Sequence, residues 1–74
     1  MDYLLLEMKM KQIGITSESM SRVLDIDPAT FYRKKRGESD FTRSEIRKIM
    51  KELNLTSEEV DSIFFKDWLA FTQD

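Results

Sequence analysis

Apolar residues recur along this chain at spacings of three and four, and the runs are broken by glycine, proline or a hydroxyl residue. That period predicts helices. The first runs from Asp2 to Ile13, with Leu6, Met10 and Ile13 as its inward stripe and Leu4 and Leu5 widening it. Asp2 suits the N-cap, and Gly14 stands where a glycine ends a helix. Ile15 turns inward as a loop residue. A second helix covers Ser17–Leu24, capped by Thr16 or Ser17, with Met20, Val23 and Leu24 facing inward.

After a short turn plugged by Ile26, Asp27 and Pro28 read as cap and first residue of a third helix. It runs to Lys35 or Arg36, places Phe31 inward and stops at Gly37. The polar stretch 37–41 leads to Thr42 and Glu45, spaced as a capping box, with Phe41 as a hydrophobic staple. The fourth helix, Arg43–Leu53, carries Ile46, Ile49, Met50 and Leu53 on one face. Thr56 and Glu59 repeat the box ahead of a fifth helix bearing Val60, Ile63 and Phe64. That helix continues, or restarts after Phe65, through Trp68, Leu69 and Phe71. The expected fold is all-α: five helices in one domain over residues 1–74.

Composition narrows the classes of function. The 74 residues contain neither cysteine nor histidine, so the usual zinc-ligand sets are missing. The carboxylates and hydroxyls show no catalytic arrangement, and two glycines make no phosphate-cradling motif. The expectation is a non-enzyme without cofactor or metal. No stretch approaches the roughly 20 apolar residues of a bilayer span. The opening Met1–Glu7 lacks a basic leader, so a cytoplasmic location is expected. The net charge of −2 is unevenly spread. Residues 11–50 carry nine Lys or Arg against six Asp or Glu, and residues 51–74 carry two against six. An acidic chain can thus present a basic middle, and local potential guides an encounter with DNA.

Two short helices joined by a three- or four-residue turn make a helix-turn-helix motif, whose second helix enters the DNA major groove. Residues 17–24 and 28–35 have that form. Here the chain resembles the phage repressor and Cro superfamily: Gly14-Ile15-Thr16, Met20-Ser21, Leu24, Ile26, Thr30-Phe31, Arg33, and Gly37 closing the motif. Ser21 stands where the family usually has alanine, Ser17 where it has glutamine, Asp25 where it has the turn glycine and Arg36 where it has asparagine. Phe41-Thr42-Arg43-Ser44-Glu45-Ile46, Leu53-Asn54-Leu55, Glu58-Glu59-Val60 and Ile63-Phe64-Phe65 are similar to small prophage-encoded repressors of Gram-positive hosts. The resemblance covers residues 5–65. It implies a compact lambda-repressor-like domain and a DNA-binding regulator of a lysis/lysogeny switch.

Carried over by position, it implies that Pro28, Ala29, Tyr32 and Arg33 face base edges. Arg33 supplies a donor fork for guanine and Ala29 a contact to a thymine methyl. Thr30 either is partly buried or reaches the backbone, and Ser17 lies beside a phosphate. Lys34, Lys35, Arg36 and Arg43 suit phosphate neutralisation. A basic helix C-terminus also complements the helix dipole, which is the plainer explanation of the cluster.

An alternative function is a modulator of the same fold that binds a partner repressor. The acidic total, Glu18 near the expected phosphate, Asp25 and Asp27 in the turn, Pro28 at a base-facing position and the aromatic tail favour it. Phe65, Trp68, Leu69 and Phe71 crowd residues 64–74. They either fold back on the domain or form an association face, for a homodimer or a partner repressor.

Overall fold

The computed structural model describes residues 2–65. Helix α1 spans Tyr3–Ile13, α2 Ser17–Val23, α3 Pro28–Lys35, α4 Arg43–Glu52 and α5 Ser57–Val60. The four-residue α5 runs straight into a π turn, Asp61–Phe65. There is no strand among the described residues.

The helix starts follow from local side-chain chemistry. Asp2 Oδ1 accepts the Leu5 N–H at 3.0 Å, and the Thr16 hydroxyl accepts the Ser19 N–H at 3.1 Å. Thr16 is therefore the cap of α2. Thr42 with Glu45 and Thr56 with Glu59 form complete capping boxes. Asp27 holds the cap position of α3 without a side-chain bond, and Pro28 pre-sets the first turn.

The ends of α1 to α4 share one device. Gly14, Asp25, Gly37 and Asn54 all have positive φ, at 85°, 57°, 86° and 51°. Each is followed by a residue whose N–H reaches back to close the last turn: Ile15 to Met10, Ile26 to Ser21, Glu38 to Arg33 and Leu55 to Met50, all at 2.9–3.0 Å. This is the Schellman arrangement, whose trailing residue commonly makes an apolar contact with the helix it ends. At three of the four ends that residue is Ile15, Ile26 or Leu55, and each packs on the core. The N-cap of the next helix follows at once. Gly14-Ile15-Thr16, Asp25-Ile26-Asp27 and Asn54-Leu55-Thr56 are thus equivalent three-residue joints: a left-handed residue, an apolar plug and a cap.

The core gathers Leu6 and Met10 of α1, Met20 and Leu24 from the α2 region, Phe31 of α3, Ile49 of α4 with Leu53 at its C-cap, and Val60 and Ile63. Phe41 lies between Phe31 and Phe64, each ring pair 5.8 Å apart between centroids. The polar loop is thereby pinned to both halves of the domain. Asp2 N–H donates to the Ile63 carbonyl at 2.7 Å, fastening the start of α1 to the π turn.

Three expectations change. Ile13 is 47% exposed, because the chain reverses at Gly14 and Ile15 takes the inward place above Met10. Leu4 is 75% exposed, so α1 buries a narrow stripe through Leu6 and Met10, with Leu5 half-buried beside it. The fifth helix does not carry α geometry through Ile63 and Phe64, which lie in the π turn. The continuation through Trp68, Leu69 and Phe71 lies outside the described residues.

Candidate nucleic-acid interface

Helices α2 and α3 pack directly on one another through the joint at Asp25–Asp27. Ser21 makes that closeness possible. It is 1% exposed, and its hydroxyl is satisfied by donating to the Glu18 carbonyl at 2.7 Å. The Ser21 carbonyl in turn accepts the Ile26 N–H at 3.0 Å. A larger side chain would push the turn away.

Once Phe31 is fully buried, the helical period dictates what α3 shows outside. Pro28, Ala29, Tyr32, Arg33 and Arg36 are exposed, and Thr30 is half-buried. Ala29, Tyr32, Arg33 and Arg36 share one face. Arg33 Nη2 lies 3.4 Å from the Thr30 hydroxyl, a long contact that leaves the guanidinium mostly unengaged. The Arg36 guanidinium lies 5.4 Å from the centre of the Tyr32 ring, within cation–π range. Arg36 Nε also lies 3.5 Å from an exposed Glu38 carboxylate. Arg43 is exposed at the start of α4. Glu18 is exposed on α2 and 3.9 Å from Arg22.

The two lysines of the basic run are held differently. Lys34 Nζ donates to Glu45 Oε1 at 2.6 Å, with both side chains nearly buried. Lys35 Nζ donates to Glu7 Oε1 at 2.7 Å and to the Ser17 hydroxyl at 3.2 Å. Two neighbouring lysines thus tie the end of α3 to α4 on one side, and to α1 and α2 on the other. Burial alone would raise the Glu45 carboxyl. The Lys34 hydrogen bond, the Thr42 N–H and the Lys34 charge outweigh it and hold the group below the ordinary glutamate value. Glu7 is also held low, first by the hydrogen bond from Lys35 and then by its charge. Glu59 is lowered chiefly by its hydrogen bond from Lys9 of α1, then by the Thr56 N–H.

Of the residues expected at the interface, Pro28, Ala29, Tyr32, Arg33, Arg36 and Arg43 therefore stand in solvent. Thr30 and Ser17 are half-buried, and Lys34 and Lys35 have partners inside the fold. The sequence gives no sign of Glu7 as a partner, since it lies 28 residues from Lys35. Glu45 is legible as a capping residue but not as the acceptor for Lys34.

Two clefts border the Glu7–Lys35 pair. One, of about 310 Å³, is lined by Tyr3, Leu4, Glu7, Tyr32, Lys35 and Arg36. The other, of about 380 Å³, runs past Lys11, Thr16 and Ser17 at the start of α2. A groove of about 490 Å³ lies elsewhere, between α4 and the π turn. Phe41, Ile46, Met50, Val60 and Phe65 line it, with Arg43 and Arg47 on its edge. Phe65 is 40% exposed there, while Trp68, Leu69 and Phe71 lie outside the described residues.

Among the described residues no group of three His, Cys, Asp or Glu could hold a metal ion, and no helix is long and apolar enough to cross a membrane. Residues 5–62 match a family model described as the Cro/C1-type HTH DNA-binding domain. No curated protein matches the chain, and no solved structure does.

Proposed function

Because the chain belongs to the Cro/C1-type helix-turn-helix DNA-binding family, we propose that it is a sequence-specific transcriptional regulator that lays the exposed face of α3 in the major groove. The observation that carries this reading is the solvent-facing row Ala29, Tyr32, Arg33 and Arg36, opposite the buried Phe31. Arg33 offers a donor fork to guanine, and Ala29 fits a thymine methyl. Arg36 and Arg43 supply charge for phosphates flanking the groove. Ser17 and Pro28 border the same surface. Lys34 and Lys35 leave the contacting set, because their ammonium groups are already paired. The similarity to small prophage repressors supports a place in a phage or prophage lysis/lysogeny switch.

The test is a titration of the purified protein against its own promoter region and against an arbitrary duplex, at low and physiological salt. A clear preference for the promoter region is expected. Equal binding of both removes the specific reading. Failure to bind either, together with tight binding of a neighbouring repressor, transfers the assignment to a modulator of that repressor.

A second reading concerns residues 64–74. Phe65 and Met50, at 40% and 36% exposure, flank the open apolar groove. This supports a self-association segment, with Phe65, Trp68, Leu69 and Phe71 as its apolar residues, since paired half-sites on DNA are usually read by a symmetric dimer. Sedimentation across a concentration series is expected to show a dimer that Trp68→Ala weakens while helix content holds. A parent monomeric at every concentration ends that reading.

A further inference from the structure

The four consecutive cations Arg33, Lys34, Lys35 and Arg36 would make a strong phosphate-binding end for α3, yet two of them are turned onto carboxylates of the same chain. The two carboxylates differ in what else they do. Glu45 completes a capping box, so its place is set by α4. Glu7 lies in the middle of α1 and caps nothing. Its side chain is 43% exposed, whereas that of Lys35 is 10% exposed. The Lys35 ammonium also touches the Ser17 hydroxyl at the start of α2, the helix that braces a helix-turn-helix motif across the DNA backbone. The pair is bordered by open clefts on both sides, and one of them also holds Lys11. The ammonium therefore lies beside the expected phosphate path, and its charge is taken up by a carboxylate of the same chain.

We propose that Glu7 is an internal anion that occupies Lys35, removes it from the phosphate contacts and so lowers affinity for every duplex. This rests on the DNA-binding reading above. Contacts to phosphate raise affinity for every duplex alike, while contacts to base edges separate one site from another. Neutralising Lys35 internally lowers that shared contribution, while the ratio between sites stays with the base-facing Ala29, Tyr32 and Arg33. Exchange of the Glu7 carboxylate for a DNA phosphate replaces one anion at the ammonium by another, so no net charge contact is gained while Glu7 is ionised. Its carboxyl is held low, and it is ionised at neutral pH.

The experiment compares the full-length parent, Glu7→Gln, Lys35→Met and the double variant on an arbitrary duplex, from about 50 mM to about 200 mM salt. Melts of each protein check that the domain is folded. The Gln amide oxygen still accepts from Lys35, and Glu7→Ala serves as a second variant if Glu7→Gln is unstable. Glu7→Gln is expected to bind the arbitrary duplex several-fold more tightly at low salt. Its plot of log affinity against log salt should be steeper by about 0.9, the value of one more phosphate contact. Lys35→Met alone should keep the parental slope, and the double variant should return to it. A parental slope in folded Glu7→Gln overturns the proposal. So does a gain that survives in the double variant, which would reflect only the loss of a negative charge. If none of the proteins binds any duplex at low salt, the DNA-binding reading itself fails, and this inference fails with it.

Discussion

Glu45 joins two functions that a single substitution separates from the rest of the fold. Its Oε1 accepts the Thr42 N–H at 2.8 Å and the Lys34 ammonium at 2.6 Å. In Glu45→Ala the Thr42 N–H loses its acceptor, at about 1 kcal/mol. Lys34, whose side chain is only 13% exposed, keeps its charge with no partner beside it. That adds about 1–2 kcal/mol, less than in a deep interior because the ammonium can still swing to water. The expected loss is about 2–3 kcal/mol, or about 10–20 °C in melting midpoint for a domain of this size. The assay is a thermal melt followed by circular dichroism, extended to a double-mutant cycle with Lys34→Met. In that variant the unpaired charge is gone, so adding Glu45→Ala should cost about 1 kcal/mol less than it does in the parent. The same pair predicts a pH dependence. The folded-state value of Glu45 lies below its unfolded value, so the stabilisation is complete above the unfolded value. It is lost as pH falls below about 4.5 and through the folded value. Glu45→Ala should therefore lie closer to the parent in acid than at neutral pH. A variant that melts within about 3 °C of the parent at neutral pH, or a cycle that adds without coupling, would refute this account of how α3 is held.

Three other outcomes follow from the same structure. Arg33→Ala should weaken binding to the preferred duplex by about 1–3 kcal/mol and relax the choice of base at one position, read by competition among single-base variants of the site. Gly37→Ala should destabilise by about 1–2 kcal/mol in a urea melt. The position has φ 86°, and a Cβ there would overlap the Tyr3 hydroxyl; a second variant, Tyr3→Ala with Gly37→Ala, should recover part of the loss. Asp25→Gly should raise the melting midpoint by a few degrees, because Asp25 holds φ 57°, a left-handed conformation that costs a side-chain-bearing residue about 1 kcal/mol. An unchanged or lower midpoint would show that Asp25 compensates for its strain elsewhere.

The features legible in the sequence are those that neighbouring residues decide. Thr42 with Glu45, Thr56 with Glu59, Asp2, Gly14, Pro28 and Gly37 each act within one helical turn of themselves, so their spacing foretells the helix boundaries. The exposed face of α3 is legible for the same reason, since burying Phe31 fixes which residues must point away. What the chain conceals is action at a distance. Lys34 meets Glu45 across 11 residues and Lys35 meets Glu7 across 28, so both look like free phosphate ligands until the helices are packed. Ile13 extends the apolar period of α1 and nevertheless faces water, because a left-handed residue next to it reverses the chain and Ile15 fills the inward position. The π turn at Asp61–Phe65 has no signature in its own composition.

The three equivalent joints have a consequence for how this architecture tolerates change in length. In each, one residue reverses the chain, the next plugs the core and the third starts the following helix, so none is spare. An added residue would have to displace either the plug or the cap. Because each helical residue turns the following face by about 100°, a shift absorbed by the next helix would carry its apolar stripe out of the core. Between Gly37 and Thr42 the arrangement differs: Glu38, Ser39 and Asp40 are exposed, and only Phe41 is anchored inside. Among the described connections, insertions and deletions should therefore be accepted in that stretch and rejected at the joints. Among the described connections, the one between α3 and α4 is thus the one that can be lengthened without rotating the recognition surface, because Lys34 and Glu45 still tie the two helices together.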